Sequence, residues 1–156
     1  MPKGETIVGL ISDTHGLLRP QAQDALRGSD LIIHAGDVGH PDILNELRSI
    51  APTFAVRGNI DTQPWARSLP ETEGVKAGGL LLWVLHDIAE LDLDPSVGFA
   101  AVIFGHSHKP SMKMRDGVLF MNPGSAGPRR FRLPITVGRI TVRGDALNPE
   151  IIELAV

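Results

Sequence analysis

Side chains that can bind a metal ion follow several short apolar runs of this chain. The run GLIS at 9–12 is followed by Asp13 and His15, and four further runs end in the same way. These runs are LIIHAGD ending in Asp37, TFAVRGN ending in Asn59, LLWVLHD with His86, and AVIFGHSH with His106 and His108. If the runs are neighbouring strands with aligned ends, all seven side chains meet at one edge. We therefore expect one cluster of carboxylate, amide and imidazole donors.

The size of this ligand set favours two metal ions over one. Seven oxygen and nitrogen donors are more than a single first-row ion normally takes from a protein. Carboxylates neutralise the cations, and neutral imidazoles suit manganese, iron, cobalt, nickel or zinc. We expect Asp37 to bridge the two ions, because a carboxylate can bind both at once. Two-metal sites hold the attacking and leaving oxygens of a phosphoryl transfer, so the sequence predicts two divalent ions, manganese first, and phosphate chemistry.

Each motif has an ordinary structural explanation when it is taken alone. An Asp-x-His after a strand is usually a turn or a cap, GHSH could be a surface turn, and Asp37 could cap the following helix. His40 and Pro41 fit the start of that helix. His34 lies inside an apolar strand, which predicts a hydrogen-bonded core histidine. The metal-site prediction therefore depends on five strand ends carrying ligands together.

The first third of the chain has the pattern of alternating strands and helices. Apolar runs at 6–12, 31–36 and 53–58 predict strands. The segment 20–28 predicts a helix that starts with Pro and ends with Gly, and 40–50 has apolar residues at helical spacing. This βαβαβ order implies parallel strands joined by right-handed crossovers, whose carboxyl ends share one edge.

The rest of the chain predicts hairpins. Segments 71–86 and 111–122 each predict two strands, with turns at Gly78-Gly79 and Asp116-Gly117. The run 100–106 predicts a further buried strand, and 135–156 has the alternation of a last hairpin. Parallel units followed by hairpins favour an α/β fold with two sheets packed face to face and helices outside.

The composition is that of a globular protein with one domain over residues 1–156. Hydrophobic residues make up 42% of the chain and charged residues 21%, and the formal net charge is −3. A pI near 6.0 argues against a long nucleic acid as partner, because such binding needs many cationic contacts to phosphates. The one cluster of basic residues, Arg129, Arg130 and Arg132, is interpreted as a solvated loop.

The cysteine content and the apolar segments of the chain indicate where the protein is expected to act. It has no cysteine, which excludes disulfides and thiolate metal sites. No secretion signal is recognisable near Met1, and no apolar segment approaches the roughly 20 residues that span a bilayer. We expect a cytoplasmic protein with no membrane partner, and the sequence leaves homo-oligomer formation open.

The order of the motifs carries a family resemblance. DTHG, GD, GN, a lone His after a strand and GHSH resemble the motifs of the calcineurin-like metallophosphoesterase superfamily, above all its small bacterial and archaeal phosphodiesterases. The resemblance extends from Ile7 to NPGS at 122–125. It implies a four-layer αββα sandwich of two mixed β-sheets flanked by helices, two divalent metals, and hydrolysis of a phosphate ester by a metal-bound hydroxide.

The resemblance also implies a distribution of ligands between the metals. One metal would take Asp13, His15, Asp37 and His108, and the other would take Asp37, Asn59, His86 and His106. Asn59 would also hold a phosphate oxygen, and Asp61, in the acidic place of the family's GNx[DE] element, would orient a ligand from behind. Asn59 and Asp61 are therefore the candidate catalytic residues.

The sequence departs from the family pattern at two places. Many relatives have a His after GN that is thought to protonate the leaving group, but this chain has Ile60, which has no proton to donate. We therefore expect esters with good leaving groups, or another acid. After His86 the segment DIAELDLDPSVGF is short, acidic and interrupted by Pro95, so a full helix hardly fits. Asp87 in this region could support a metal ligand from behind or cap the segment IAEL, and the N-cap is the favoured interpretation.

Two further residues near these motifs are weak candidates for the site. Asn122 in NPGS could support the metal ligands, although NPGS could equally be a plain turn. Arg57 beside GN could hold a phosphate, but an outward-facing arginine is the favoured interpretation.

Three functions from different classes fit parts of this pattern. The first, which we favour, is a metal-dependent phosphoesterase, most of all a phosphodiesterase, acting on a small-molecule phosphate ester or nucleotide. The alternative is a catalytically weak scaffold for protein partners, like the metallophosphoesterase-like subunit of the retromer coat; eroded ligands are expected there, whereas all seven are intact here. A nuclease acting on long nucleic acid is disfavoured by the acidic pI and by an aromatic content of 4%.

Overall fold

The structure, a computed structural model, describes residues 4–156 and contains two five-stranded β-sheets. The strands are β1 (Thr6–Ile11), β2 (Leu31–His34), β3 (Thr53–Ala55), β4 (Thr72–Ala77), β5 (Leu80–Leu85), β6 (Ala101–Ile103), β7 (Ser111–Arg115), β8 (Val118–Asn122), β9 (Thr136–Arg143) and β10 (Ala146–Glu153). The two α-helices are α1 (Pro20–Leu26) and α2 (Pro41–Arg48). The first sheet has the order β10-β9-β1-β2-β3 and the second β4-β5-β6-β8-β7.

Both sheets are mixed, and each has three parallel strands. In the first sheet β1, β2 and β3 are parallel, with Ile11 beside His34 and His34 beside Ala55. In the second sheet β5, β6 and β8 are parallel, and Ile103 pairs with both Val84 and Met121. Because the paired residues are close to the carboxyl ends, the loops that follow these strands leave each sheet at one edge.

The core between the sheets is built from the inward faces of both. Val8, Leu10 and Ile33 of the first sheet belong to the same buried cluster as Leu82 and Ile103 of the second. All five are fully buried. Removing most of such a side chain typically costs about 2–5 kcal/mol, because the neighbours fill the cavity only in part. Packing of the sheets therefore fixes the separation between the two groups of strand ends.

The two α-helices cover the outer face of the first sheet. Helix α2 buries Ile43, Leu44 and Leu47, which lie on one side at helical spacing, and it begins with Pro41 at its first turn. His40 caps it by accepting a hydrogen bond from the Asp42 backbone N–H at 3.1 Å, as its predicted place at the helix start indicates. Both helices contribute to a cluster with residues of the outer face.

A loop covers the outer face of the second sheet. Within residues 4–156, the segment between β5 and β6 contains one 3-10 turn, Ile88–Glu90, and no α-helix. Ile88 and Leu91 pack on a cluster centred on Leu85, Val102 and Val118. The pair of mixed sheets and the α-helical layer confirm the expected α/β fold. The outer layer of the second sheet is a 3-10 turn and loop, as the short segment with Pro95 predicts.

The predicted elements agree with the observed ones in kind and order. Both hairpins turn where expected, at Gly78-Gly79 and Asp116-Gly117, and three of these four residues have positive φ. The predicted third strand, 53–58, is shorter than expected and ends at Ala55, because the chain then turns to place Asn59. No helix in the described part of the chain is long and apolar enough to cross a membrane.

Candidate metal centre

Asp13 lies just after β1, at the edge of the sheet where β2 also ends, and is fixed by several hydrogen bonds. Its N–H donates to the Gly36 carbonyl at 3.0 Å. Its Oδ2 accepts from the Ser12 hydroxyl at 2.7 Å and from the His106 backbone N–H at 3.2 Å. Its Oδ1 is buried and has no hydrogen-bond partner. The carboxylate is therefore held rigidly by one oxygen and directs the other, unpaired, into the site.

Backbone strain is concentrated at the predicted ligands. Among residues 4–156, seven residues other than glycine have positive φ, and five of these are predicted ligands. The five are Asp13 (54°), His15 (47°), Asp37 (58°), His106 (75°) and His108 (64°). Each such conformation costs about 1–3 kcal/mol and persists only where the surroundings enforce it. Strain of this kind is typical of functional sites and supports the interpretation of these loops as one.

Two glycines allow the ligand loops to approach each other. A Cβ at Gly36 would lie 2.6 Å from His86 Nδ1, and a Cβ at Gly58 would collide with the Asp37 carboxylate. Gly36 also has a φ of 104°, which a residue with a side chain rarely adopts. The glycines of the GD and GN motifs are thus required by close packing of the β2 and β3 loops.

Asp37 and His86 form the closest acid–imidazole pair of the cluster. His86 Nε2 lies 3.2 Å from Asp37 Oδ2, and the His86 Nδ1–H donates to the Ala35 carbonyl at 2.8 Å. Burial would raise the pKa of Asp37, but hydrogen bonds from His86 and from the Ile60 N–H lower it overall. Burial likewise opposes protonation of His86, but the hydrogen bond and charge of Asp37 raise the pKa above its ordinary value. Because the Nδ1–H bond to a carbonyl keeps the proton of the neutral ring on Nδ1, Nε2 can bind a cation once the imidazolium has lost its Nε2 proton.

His15 and His108 direct imidazole nitrogens at the same carboxylates. His15 Nε2 is buried without a hydrogen-bond partner, 3.5 Å from Asp37 Oδ2 and 3.9 Å from Asp13 Oδ1. His108 Nε2 lies 3.5 Å from Asp13 Oδ1. Burial lowers the pKa of His108 more than the charge of Asp13 raises it, and the charge of Arg130 lowers it further. The neutral form of His108 that a metal ion requires is therefore favoured.

Asn59 lies beside the Asp37–His86 pair. One terminal atom of its side-chain amide is 3.1 Å from His86 Nε2 and 3.2 Å from Asp37 Oδ2. If this atom is the amide nitrogen, it donates to both groups. If it is the amide oxygen, it faces two acceptors, and a cation between the oxygen and these acceptors would stabilise it. The position therefore suits Asn59 as an oxygen ligand for an ion shared with Asp37 and His86.

His106 is the predicted ligand that stands apart. Its side chain is half exposed, and its Nε2 lies 3.9 Å from Asp87 Oδ2. Its ring meets the His86 ring edge-on, with 5.2 Å between centroids. Asp87 itself accepts from the Ala89 N–H at 3.0 Å, which is the predicted N-cap geometry. The structure thus brings six predicted ligands into one cluster and leaves His106 beside it, turned toward Asp87.

The residues fit divalent metal ions. Asp13, His15 and His108 place one donor atom each within 4.8 Å of one another, and so do Asp13, Asp37 and His86. Unpaired carboxylate and imidazole atoms that face each other in a buried site repel one another unless a proton or a cation lies between them. Three-donor groups of oxygen and imidazole nitrogen suit first-row divalent ions. The two groups have Asp13 in common, whereas the family resemblance implies Asp37 as the shared ligand.

Asp61 holds the ligand loops together without touching the cluster. Its carboxylate accepts from the backbone N–H groups of Val38, Gly39 and Gly58 at 3.1, 3.0 and 2.9 Å. These donors lie immediately after Asp37 and immediately before Asn59. Charge-assisted bonds to backbone N–H are among the stronger hydrogen bonds of proteins. Asp61 therefore orients two predicted ligands through their own backbone.

A second supporting network was not predicted from the sequence. The fully buried His34 accepts from the Gly36 N–H through Nδ1 at 3.1 Å, and its Nε2–H donates to the Thr14 hydroxyl at 3.0 Å. Thr14 donates in turn to the Val38 carbonyl at 2.8 Å. Thr14 separates Asp13 from His15, so this network joins the β1 and β2 loops. The sequence predicted a hydrogen-bonded core histidine, but no local signal identifies its partners.

The two weak candidates have structural partners. Asn122 donates to the Gly105 carbonyl at 3.1 Å and accepts from the Gly124 N–H at 2.8 Å, which holds the loop before His106. Arg57 donates to Glu71 at 2.9 Å. Arg57 also lines a cleft of about 200 Å³ together with Asn59. The other lining residues are Gly58, Glu71, His86, Asp87, Glu90 and His106.

Comparisons with known proteins agree with this architecture. Residues 7–145 match the model of the calcineurin-like phosphoesterase superfamily domain. A probable metallophosphoesterase of Methanothermobacter thermautotrophicus is 33% identical, with 94% of this chain and 91% of that protein covered.

Two solved structures share the fold. One is described as a novel archaeal phosphodiesterase, with a TM-score of 0.72, 22% identity, and 94% and 100% of the two chains covered. The other is vacuolar protein sorting 29 of Cryptosporidium parvum, with a TM-score of 0.75, 19% identity, and 97% and 99% covered. On the family match and the 33% identity, the chain belongs to the calcineurin-like phosphoesterase superfamily.

Proposed function

We propose that the protein is a dinuclear metal-dependent phosphodiesterase that hydrolyses a small phosphate ester or nucleotide. The observation that carries the proposal is the buried pair Asp13 Oδ1 and Asp37 Oδ2. Imidazole Nε2 atoms of His15, His86 and His108 surround these oxygens at 3.2–3.9 Å. Such a concentration of carboxylate and imidazole atoms, with Asp13 Oδ1 and His15 Nε2 left without hydrogen-bond partners, is expected where divalent cations bind.

Two ions are proposed, held by the seven predicted ligands. Asp13, His15, Asp37 and His108 would hold one ion, and Asp37, Asn59, His86 and His106 the other. The second set requires the His106 side chain to turn from Asp87 toward His86. Divalent ions in such a pair supply Lewis acidity, lower the pKa of water and polarise phosphoryl oxygens. We propose manganese as the first metal to test, followed by nickel, iron, cobalt and zinc.

The chain itself contributes position and orientation. The Asn59 amide stands at the wall of the cleft, where it can donate to a non-bridging phosphate oxygen. Asp61 keeps this amide and Asp37 in place through the backbone bonds described above. The cleft of about 200 Å³ suits a small phosphate group and its immediate substituents. Ile60, 40% exposed beside Asn59, cannot protonate a leaving group. We therefore propose a preference for esters whose leaving groups depart as stable anions.

The test is a metal-reconstitution assay. Protein stripped with chelator and reloaded with Mn²⁺ should hydrolyse bis(p-nitrophenyl) phosphate, and His86→Ala should not. His40→Ala is the matched control, because His40 caps α2 and lies outside the cluster. No hydrolysis above the His86→Ala background with any of the five metals would refute the proposal.

A scaffold function is the second candidate, favoured by the fold likeness to vacuolar protein sorting 29. It would retain metal binding without turnover. Stoichiometric Mn²⁺ binding together with undetectable hydrolysis of both activated diesters and activated monoesters would favour this candidate. The retention of all seven predicted ligands is the observation against it.

A further inference from the structure

Phe131 combines a highly exposed aromatic ring with a strained backbone. It is 89% exposed, more than any other large hydrophobic residue described, and its φ is 55°. Among residues 4–156, the other six positive-φ residues besides glycine are five predicted ligands and Asp116 of a hairpin turn. Phe131 belongs to neither group. Both the strained backbone and the exposure of an aromatic ring to water are unfavourable, so the ring is expected to be covered in the working state.

The segment that carries Phe131, residues 128–133, is anchored against the metal centre; we call it the arginine loop. A Cβ at Gly127, just before it, would collide with the carbonyl oxygens of Asp13 and Thr14. Arg19 donates to the Gly127 carbonyl at 3.3 Å. Arg130 lies near enough to His108 for the two charges to interact. The arginine loop therefore borders the cluster on the side of His108.

The same side of the protein carries unneutralised positive charge. Arg132 lines a groove together with Lys109, which directly follows His108, and Arg129 and Arg130 belong to the same loop as Arg132. None of the four forms an ion pair within the described residues, although Arg129 donates to the Leu133 carbonyl at 3.1 Å. Lys109, Phe131, Arg132 and Leu133 line an open groove of about 740 Å³. Four unpaired cations on a chain of net charge −3 create a local field that attracts an anion.

We propose that the arginine loop is a subsite for the planar base of a nucleotide-type phosphodiester whose scissile phosphate lies at the metal centre. The base would stack on the exposed Phe131 ring, as bases do on aromatic side chains. Arg130 and Arg132 would neutralise the phosphate, since guanidinium groups match phosphate geometry. This inference rests on the proposed phosphodiesterase function and names its substrate class. It also replaces the interpretation of the three arginines as a solvated loop.

Two esters with one leaving group test the subsite. Thymidine 5′-(p-nitrophenyl phosphate) carries a base, whereas methyl p-nitrophenyl phosphate does not. In Phe131→Ala we expect KM for the thymidine ester to rise about tenfold, the scale of one stacked base, while kcat is retained. KM for the methyl ester should not change. Phe131→Trp should restore the wild-type KM, and Met114→Ala, at an exposed residue of the edge strand β7 that does not line the groove, should behave as wild type.

Direct binding separates failure of the subsite from failure of the proposed function. If neither ester is hydrolysed, the phosphodiesterase proposal fails, but calorimetry with thymidine 5′-monophosphate and Mn²⁺-loaded protein still tests the subsite. Binding at least fivefold weaker in Phe131→Ala than in Phe131→Trp would support it. Equal KM changes for both esters, no change for either, or equal nucleotide binding by the two variants would overturn it.

Discussion

The buried His34 should make the metal-free protein sensitive to mild acid. Its imidazole receives a hydrogen bond at Nδ1 from Gly36 and donates from Nε2 to Thr14. This arrangement requires the neutral ring, because a proton on Nδ1 would face the Gly36 N–H. Burial lowers the pKa of His34 from 6.5 to about 4, against the opposing charges of Asp13, Asp61 and Asp37.

The sign and size of the effect follow from the two pKa values. Because the pKa is lower in the folded than in the unfolded state, the contribution to stability is present above pH 6.5 and is lost as the pH falls toward 4. A difference of about 2.5 pH units corresponds to about 3 kcal/mol in total, of which about 2 kcal/mol is lost by pH 5. This is a large share of the free energy of unfolding of an ordinary domain.

Urea unfolding of chelator-treated protein at pH 7.5 and pH 5.0 measures this loss. The wild type should lose about 2 kcal/mol more than His34→Gln between the two pH values, because the variant has no group to protonate there. Asp37 and His86 titrate in both proteins and cancel in the comparison. An equal loss in the two proteins, or a larger loss in the variant, would refute the argument that His34 must stay neutral in the fold.

Three further predictions concern the ligand loops and the leaving group. Asp61→Ala leaves three backbone donors, two of them buried, without their acceptor, so thermal unfolding should report a destabilisation of about 3–5 kcal/mol, against no change in the exposed control Asp145→Ala. Because Asp37 raises the pKa of His86 and metal binding requires a neutral imidazole, calorimetric Mn²⁺ affinity should fall from pH 8 to pH 6 with proton release; a pH-independent affinity would contradict the assignment. Ile60→His should increase kcat for alkyl esters with poor leaving groups but not for p-nitrophenyl esters, whereas an equal gain for both, or the same gain in Ile60→Gln, would exclude general-acid action.

The order of the elements could be predicted because each has a local signal. The alternation of apolar runs with helical spacing marks β1 to β3 with α1 and α2, and Asp116-Gly117 marks a hairpin on its own. The gathering of Asp13, Asp37 and Asn59 could also be predicted, because parallel strands end at one edge. These inferences need only the chain direction and the period of the pattern.

Other features depend on contacts between distant residues and have no local signal. Asp61 accepts from donors 22 and 23 positions earlier, and His34 bonds to Thr14 across 20 positions. The orientation of His106 toward Asp87 depends on where two loops of the second sheet meet. The role of Phe131 has no signal in the sequence, because neither its φ nor its exposure can be derived from composition. Such details are set by packing, which the pattern of one segment does not contain.

The most direct test of the two-metal account is the Mn²⁺ stoichiometry of the wild type and Asp37→Asn, measured with hydrolysis of bis(p-nitrophenyl) phosphate in the same samples. The account predicts two ions per wild-type chain, at most one in the variant, and loss of hydrolysis with the second ion. Full activity at one ion per wild-type chain, or two ions and full activity in the variant, would contradict it.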